Sequence, residues 1–343
     1  MAGPKCSRWS RHPYPDQVRG RVLVRVTAAS VTWWDSGFRR NLVNGPPGRP
    51  KLALPIQLGR EGAGEVAARG EGTSRFNVGD RVVLMVNPAC GTCHVCKRGD
   101  DHLCVNVTYP GHQRPGSYAQ YVVAPERDLI PSPDNVSDEA LACSLWSYGT
   151  VFHMVNACAK IRPGESVLIT GASSGLGTAG LQLARLAGAT PIIGLTGSPE
   201  KTEMLLKGGA DYVLNYHDED IVEQIRRLSG GYGVDVVLDN VGGERMVQLA
   251  LDSVRLAGRV VIAAIMGGRH MQLHIAEIFR KHIAILGSRS STRFEQEQIV
   301  QFVKAGKISP MITAKFPLTR IREAHALLDS GKHTGKIVVL PWA

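Results

Sequence analysis

One stretch constrains this chain more than any other: residues 165–188, ESVLITGASSGLGTAGLQLARLAG. Val167-Leu168-Ile169 is an apolar run too short for a helix and β-branched enough for a buried strand. Gly171, Gly175 and Gly177 follow, and from Thr178 the pattern turns helical, with Leu181, Leu183, Ala184 and Ala187 forming an apolar stripe. A strand, a glycine turn and a helix place backbone N–H groups at a helix start, where the dipole favours an anion. A dinucleotide pyrophosphate needs that arrangement, although three glycines alone also fit a tight βα connection.

The next strand, Pro191–Leu195, runs into Thr196-Gly197-Ser198-Pro199-Glu200-Lys201. An acidic residue closing this strand would hold the ribose 2′-hydroxyl of NAD. Here Thr196 takes that place, with Ser198 and Lys201 beyond it, and a hydroxyl and an ammonium suit the 2′-phosphate of NADP(H) better. Ser198 as a helix cap and Lys201 as a solvated first-turn charge is the competing reading. Between about 165 and 287 strand and helix alternate, as in Val234–Leu238, Glu244–Leu251 and Arg259–Ala263, which predicts a parallel sheet with helices on both faces.

The rest of the chain reads differently. Residues 1–20 are proline-containing and aperiodic, and the stretch 44–50 is turn-rich. Val22–Val26 and Arg81–Val86 read as short strands, with a hairpin turn at Asn77–Asp80, and the glycines of 56–66 mark where the backbone must turn or pack closely. Two helical patterns, Glu295–Ala305 and Ile321–Asp329, precede a closing strand at Lys336–Leu340. The expected fold class is α/β, a mostly-β domain joined to a doubly wound cofactor domain. Residues 1–137 form the first, with a lobe at about 88–106; residues 138–288 form the second; residues 289–343 return to the first.

With 343 residues the chain has enough apolar content for two cores. No apolar run matches a membrane span or a signal peptide, so a soluble, cytoplasmic protein is expected. The formal charge of +10 is concentrated at the front, where residues 1–60 hold eleven Lys or Arg against two acids. No stacking pattern or nucleic-acid motif accompanies that charge, which argues against a nucleic-acid partner. Steering of a phosphorylated ligand and a merely solvated surface remain as readings.

Cys90, Cys93, Cys96 and Cys104 form C-x2-C-x2-C-x7-C in a polar, Gly-containing loop. Four thiolates so spaced suit tetrahedral Zn²⁺ and leave no position for water, so the expected metal is a single structural zinc. An iron–sulfur cluster and unliganded thiols are the rivals.

These pieces together resemble the medium-chain dehydrogenase/reductase superfamily, which includes zinc-type alcohol dehydrogenases and quinone oxidoreductases. The resemblance rests on NVGDRVV (77–83), the cysteine lobe, GASSGLG (171–177), GVDVVLDNVGG (233–243) and SGKHTGKIVV (330–339). It implies a GroES-like catalytic domain and a Rossmann NADP(H) domain, in a homodimer or homotetramer. It implies further that Ser174, Gly175, Leu176 and Gly177 cradle the pyrophosphate. Lys201 and Tyr216 would then contact the 2′-phosphate, at the strand end where Thr196 and Ser198 already read as its neighbours, and Asn240, Ala264 and Ile265 would lie near ribose and nicotinamide. TGASSGLG (170–177) also resembles the short-chain dehydrogenase motif, but no Tyr-x-x-x-Lys follows it.

The departures from the family pattern set the expected chemistry. Zinc-type alcohol dehydrogenases hold a catalytic zinc through a Cys, a His and a third Cys, and the matching positions here are Thr32, Arg60 and Trp146. A guanidinium repels Zn²⁺ and a threonine is a poor substitute for a thiolate. Asp35 and Glu61 survive from the pattern, as an ion pair or turn anchor. Without a Lewis acid to hold an alkoxide, hydride transfer from NADPH to an enone, quinone or enoyl thioester is the natural reaction. The Tyr that many enoyl reductases place eight residues after the aspartate is Val43 here, so Thr32 and Tyr148 become the candidate donors. An alcohol dehydrogenase with atypical ligands and a low-turnover nucleotide- or RNA-binding protein are the alternatives.

Overall fold

The computed structural model describes residues 19–40 and 55–343. The expectations for residues 1–18, for the turn-rich stretch 44–50 and for Val43 lie outside the described residues. In chain order the first strands are β1 (Arg21–Val31), β2 (Glu61–Arg69), β3 (Arg81–Leu84), β4 (Tyr121–Pro125) and β5 (Leu129–Pro131). Then follow β6 (Val167–Ile169), β7 (Ile192–Thr196), β8 (Tyr212–Asn215), β9 (Val234–Asp239), β10 (Val254–Ile262) and β11 (Ala284–Gly287). The last two are β12 (Ile312–Pro317) and β13 (Lys336–Leu340).

The chain divides into two compact units, one holding the described residues up to Trp146 with Thr292–Ala343, the other Ser147–Ser291. These limits differ from the expected 137/138 and 288/289. Asp138 accepts from Thr27 Oγ1 at 2.6 Å and from Arg81 Nη2 at 2.5 Å, which ties the helix Asp138–Ala142 to the first unit. Thr292 caps the helix Arg293–Lys304, whose first amide, on Arg293, donates to Asp101 at 3.2 Å, again within the first unit. A change of hydropathy rhythm marks where strands stop alternating with helices, whereas the boundary itself lies where the polar contacts change allegiance.

In the first unit the strand order is β12-β13-β1-β2-β3-β5, with β4 also pairing β1. β1 serves two partners along one edge, β4 through Arg21–Arg25 and β13 through Ala29–Val31. Its alternating valines, Val22, Val24 and Val26, enter a core with Val66, Val82, Leu84, Leu129, Ile337 and Val339. Gly64 is required where β2 crosses β1, because a Cβ there would collide with the Arg25 carbonyl.

The second unit is a six-stranded parallel sheet ordered β11-β10-β9-β6-β7-β8. The order reverses between β6 and β9, the switch point of a doubly wound fold, where ligands bind beyond the strands' carboxyl ends. Strands β6, β7 and β9 are almost wholly buried, as parallel strands covered on both faces must be. Among the described residues no helix is long and apolar enough to cross a membrane.

Candidate functional site

At the switch point of the second unit, β6 ends in the glycine turn and the helix Gly175–Leu186 begins three residues earlier than its apolar stripe suggested. Ser174 is its N-cap, accepting from the Gly177 amide at 3.0 Å. The amides of Gly175 and Leu176 then open the helix without an intrahelical partner. A Cβ on Gly177 would strike the Gly171 carbonyl, so the turn tolerates only glycine there. Beyond β9, Asp239 accepts from Thr170 Oγ1 at 2.6 Å and from the Gly242 amide at 3.0 Å. Asn240 is buried and donates from Nδ2 to the Thr170 carbonyl at 3.2 Å. Its Oδ1 is buried with no hydrogen-bond partner among the described residues. Gly242 packs directly on the Ala264 carbonyl, bringing the loop of Asn240 beside Ala264 and the exposed Ile265. An orphaned acceptor beside open helix-start amides fits a dinucleotide's ribose and pyrophosphate.

At the end of β7, Thr196 Oγ1 accepts from the Ser198 amide at 3.2 Å, and the Ser198 side chain caps no helix. Tyr216, following β8, lies so close that a Cβ on Gly197 would sit 2.6 Å from its hydroxyl. Lys201 is buried, and that burial pulls its pKa below the usual lysine value. Arg245 lies over the Tyr216 ring, 5.6 Å from its centroid, and donates to the Tyr216 carbonyl at 3.3 Å. Sequence reasoning missed Arg245; its only signal was a basic residue in the first turn of a helix that follows β9.

The positions matched to zinc ligands lie in the first unit. Thr32 caps the helix Trp33–Arg39 and donates from Oγ1 to Asp35 Oδ2 at 2.6 Å. Asp35 also accepts from the Gly59 amide at 3.0 Å and the Tyr118 hydroxyl at 3.3 Å, a turn anchor whose burial raises its pKa. Glu61 accepts from Lys336 Nζ at 2.5 Å and from the Trp146 amide at 2.7 Å, both acid and base buried. Arg60 is buried between two aromatic faces, 3.9 Å from the Tyr109 centroid and 4.4 Å from that of Trp146. Its Nη1 lies 3.2 Å from His112 Nδ1. A donor-only guanidinium, a hydroxyl spent on a carboxylate and an indole do not make a zinc site.

His112 was not anticipated from the sequence, where it is one polar residue in a loop. It is 3% exposed and in contact with Phe38, with ring centroids 3.8 Å apart; Trp34 and Tyr109 lie near it. Burial, aided by Arg60, pushes its pKa down to about 2, so the imidazole is neutral at working pH. Because Arg60 only donates, Nδ1 accepts and the proton sits on Nε2. Nε2 is buried and has no hydrogen-bond partner among the described residues. An orphaned donor of this kind costs about 1–3 kcal/mol.

The unfolded chain protonates this histidine near pH 6.5 and the folded one does not, so its contribution is full above pH 6.5 and is lost as pH falls. Between pH 7.5 and 5 the wild type should lose about 2 kcal/mol more stability than His112→Gln, at about 1.4 kcal/mol per pH unit below 6.5. Denaturant titrations of the two proteins across that range measure it; equal losses would place the imidazole outside this environment.

Tyr148, the other donor candidate, is fully buried in the second unit, and its hydroxyl accepts from Gln182 Nε2 at 3.0 Å. Both hydroxyls proposed from the sequence thus hold structural partners.

The four cysteines do come together, with sulfurs all within 4.8 Å of one another. Sγ–Sγ distances are 3.4 Å for Cys93–Cys96, 3.9 Å for Cys93–Cys104 and 4.0 Å for Cys90–Cys96. Zinc–sulfur bonds of about 2.3 Å in a tetrahedron put sulfurs about 3.8 Å apart, so the cluster fits the ion. The Thr92 hydroxyl at 3.5 Å and the Cys93 amide at 3.3 Å donate to Cys90, and with the Thr92 amide they bring its thiol down to about 5. Burial pushes Cys96 up to about 12, an effect a bound dication overrides. Among the described residues this is the one group of three or more His, Cys, Asp or Glu arranged to hold a metal.

Comparison with known proteins agrees with this architecture. Residues 18–134 match the family model for the alcohol dehydrogenase GroES-like domain, and residues 175–305 that for zinc-binding dehydrogenase. The L-threonine 3-dehydrogenase of Pyrococcus furiosus is 32% identical over 331 residues, 94% of this chain and 91% of that protein. The acryloyl-coenzyme A reductase of Metallosphaera sedula is 29% identical over 327 residues, 95% of this chain and 93% of that one. A crystal structure of an NAD-dependent alcohol dehydrogenase superposes with a TM-score of 0.90 at 35% identity, covering 96% of this chain and 94% of the other. The chain belongs to the zinc-type medium-chain dehydrogenase/reductase superfamily. Within it, this chain is an oxidoreductase that works with a pyridine nucleotide.

Proposed function

We propose that the protein is an NADPH-dependent reductase of activated C=C bonds or quinones whose reaction centre uses no zinc. The observation that carries this reading is Arg60, a buried guanidinium held between Tyr109 and Trp146 where zinc-type relatives require a ligand. Bound NADPH would supply the hydride. The chain's own residues then have to bind the nucleotide, exclude water and hold the oxygen on which negative charge develops. A conjugated carbonyl spreads that charge itself, so hydrogen-bond donors suffice where an alkoxide would need a metal.

Thr196, Ser198, Lys201, Tyr216 and Arg245 support the phosphorylated cofactor, because the end of β7 offers hydroxyls and cations and no carboxylate at Thr196. NADPH oxidation should therefore be detected with enones, quinones or enoyl thioesters. Lys201→Ala should raise KM for NADPH about 10- to 100-fold, the worth of one charged hydrogen bond to phosphate, with KM for NADH unchanged. Equal effects on both cofactors would reject the 2′-phosphate assignment. Alcohol oxidation outpacing enone reduction would reject the reaction.

A further inference from the structure

We infer that His112 is the residue that holds the substrate's carbonyl oxygen, through an Nε2–H whose tautomer Arg60 fixes. The inference rests on the proposed reductase reading and deepens it: the substrate class becomes a ketone or thioester conjugated to C=C, with the oxygen as its anchor. Three observations carry it. Arg60 lies 3.2 Å from Nδ1 and donates only, so the second ring nitrogen bears the hydrogen. That nitrogen is buried with no partner among the described residues. The rings of Trp34, Phe38 and Tyr109 surround the imidazole, and a donor in such a low-dielectric setting acts more strongly on developing charge than it would in water.

The electrons balance simply. With NADPH bound, the cofactor would supply a hydride to the substrate's β-carbon, the C=C π pair would move to form an enolate, and the negative charge would rest on the oxygen that Nε2–H holds. Solvent then delivers a proton to the α-carbon, and the imidazole ends as it began. A neutral imidazole beside a permanent cation keeps its hydrogen throughout and acts as a donor, not as an acid. Arg60 is a positioning residue in this scheme, acting through the tautomer it imposes.

The test uses the full zinc-containing chain. In ¹⁵N-histidine NMR, with His112 assigned from His112→Gln, the ring should show protonated Nε2 and unprotonated Nδ1. A saturated ketone or thioester, which cannot react, should shift the Nε2–H signal. Arg60→Met should mix the tautomers and Arg60→Lys should preserve them. In turnover, His112→Leu should lower kcat about 10²- to 10³-fold with KM for NADPH unchanged, and His112→Gln, which keeps a neutral donor, should recover to within about 10-fold. A hydrogen on Nδ1, or a folded His112→Leu protein within about threefold of wild type, would overturn the inference. An imidazole that responds to the saturated ketone in a protein reducing no C=C would leave this anchor standing and the reaction assignment fallen. Brisk enone reduction with an unresponsive imidazole would mean the converse.

Discussion

Lys336→Met is expected to destabilise the first unit by about 3–5 kcal/mol, the usual cost of leaving one member of a buried ion pair without its partner. Lys336 Nζ and Glu61 Oε2 are 2.5 Å apart with side chains 4% and 2% exposed, so water cannot take over the lost contact. Glu61 has a second duty, accepting from the Trp146 amide at 2.7 Å, and for that reason it cannot simply withdraw. Adding Glu61→Gln should recover more than half of the loss, because the amide oxygen still serves Trp146 while the buried charge disappears. Denaturant unfolding of the two variants measures both effects. A single variant within about 1 kcal/mol of wild type would show that the pair is solvated, as surface pairs are.

The second large effect concerns the cysteine lobe. Its own apolar cluster is small, Cys104, Val107 and Tyr109 with Ala89 and the remaining cysteines packed against it. A cluster of that size cannot hold a polar loop, so a bound zinc would have to supply the folding free energy, about 10–16 kcal/mol for structural zinc sites in peptides. Removing the metal, or Cys104→Ser, should abolish amide-exchange protection across 88–106. The damage should travel, because Tyr109 belongs to the lobe cluster and also covers the Arg60 guanidinium at 3.9 Å, while the His112 amide donates to the Tyr109 carbonyl at 3.2 Å. Elemental analysis should find one zinc per chain, the single tetrahedral site the thiolates define. Two would mean that a second site exists near Thr32, against the residues found there.

Local signals carried much of the fold. The strands at Val167–Ile169 and Lys336–Leu340 were readable to the residue, since short β-branched runs between turn formers leave little choice. The four cysteines and the glycine turn were readable because their chemistry depends on spacing along the chain. Thr32 was read as a possible donor although Thr-x-x-Asp is also a capping box, which is what Thr32 and Asp35 form. Arg60 was legible only as a lost ligand. Its use depends on His112, 52 positions later, and on the rings of Tyr109 and Trp146, and no periodicity brings those together. Tyr148 looked like a donor by its letter, and only packing shows its hydroxyl fully buried and accepting from Gln182 Nε2.

The placement of β13 has a consequence for how the molecule is made. β1 pairs with β13 through Ala29–Val31, and β13 also carries the lysine that neutralises Glu61. A nascent chain leaving the ribosome therefore holds an unsealed first sheet while the whole nucleotide-binding unit is translated, with the Ala29–Val31 part of β1 and the Glu61 side chain awaiting partners near the end of the sequence. The later-encoded unit, contiguous in sequence, is free to fold first. The earlier one cannot complete its sheet before the final strand has been made.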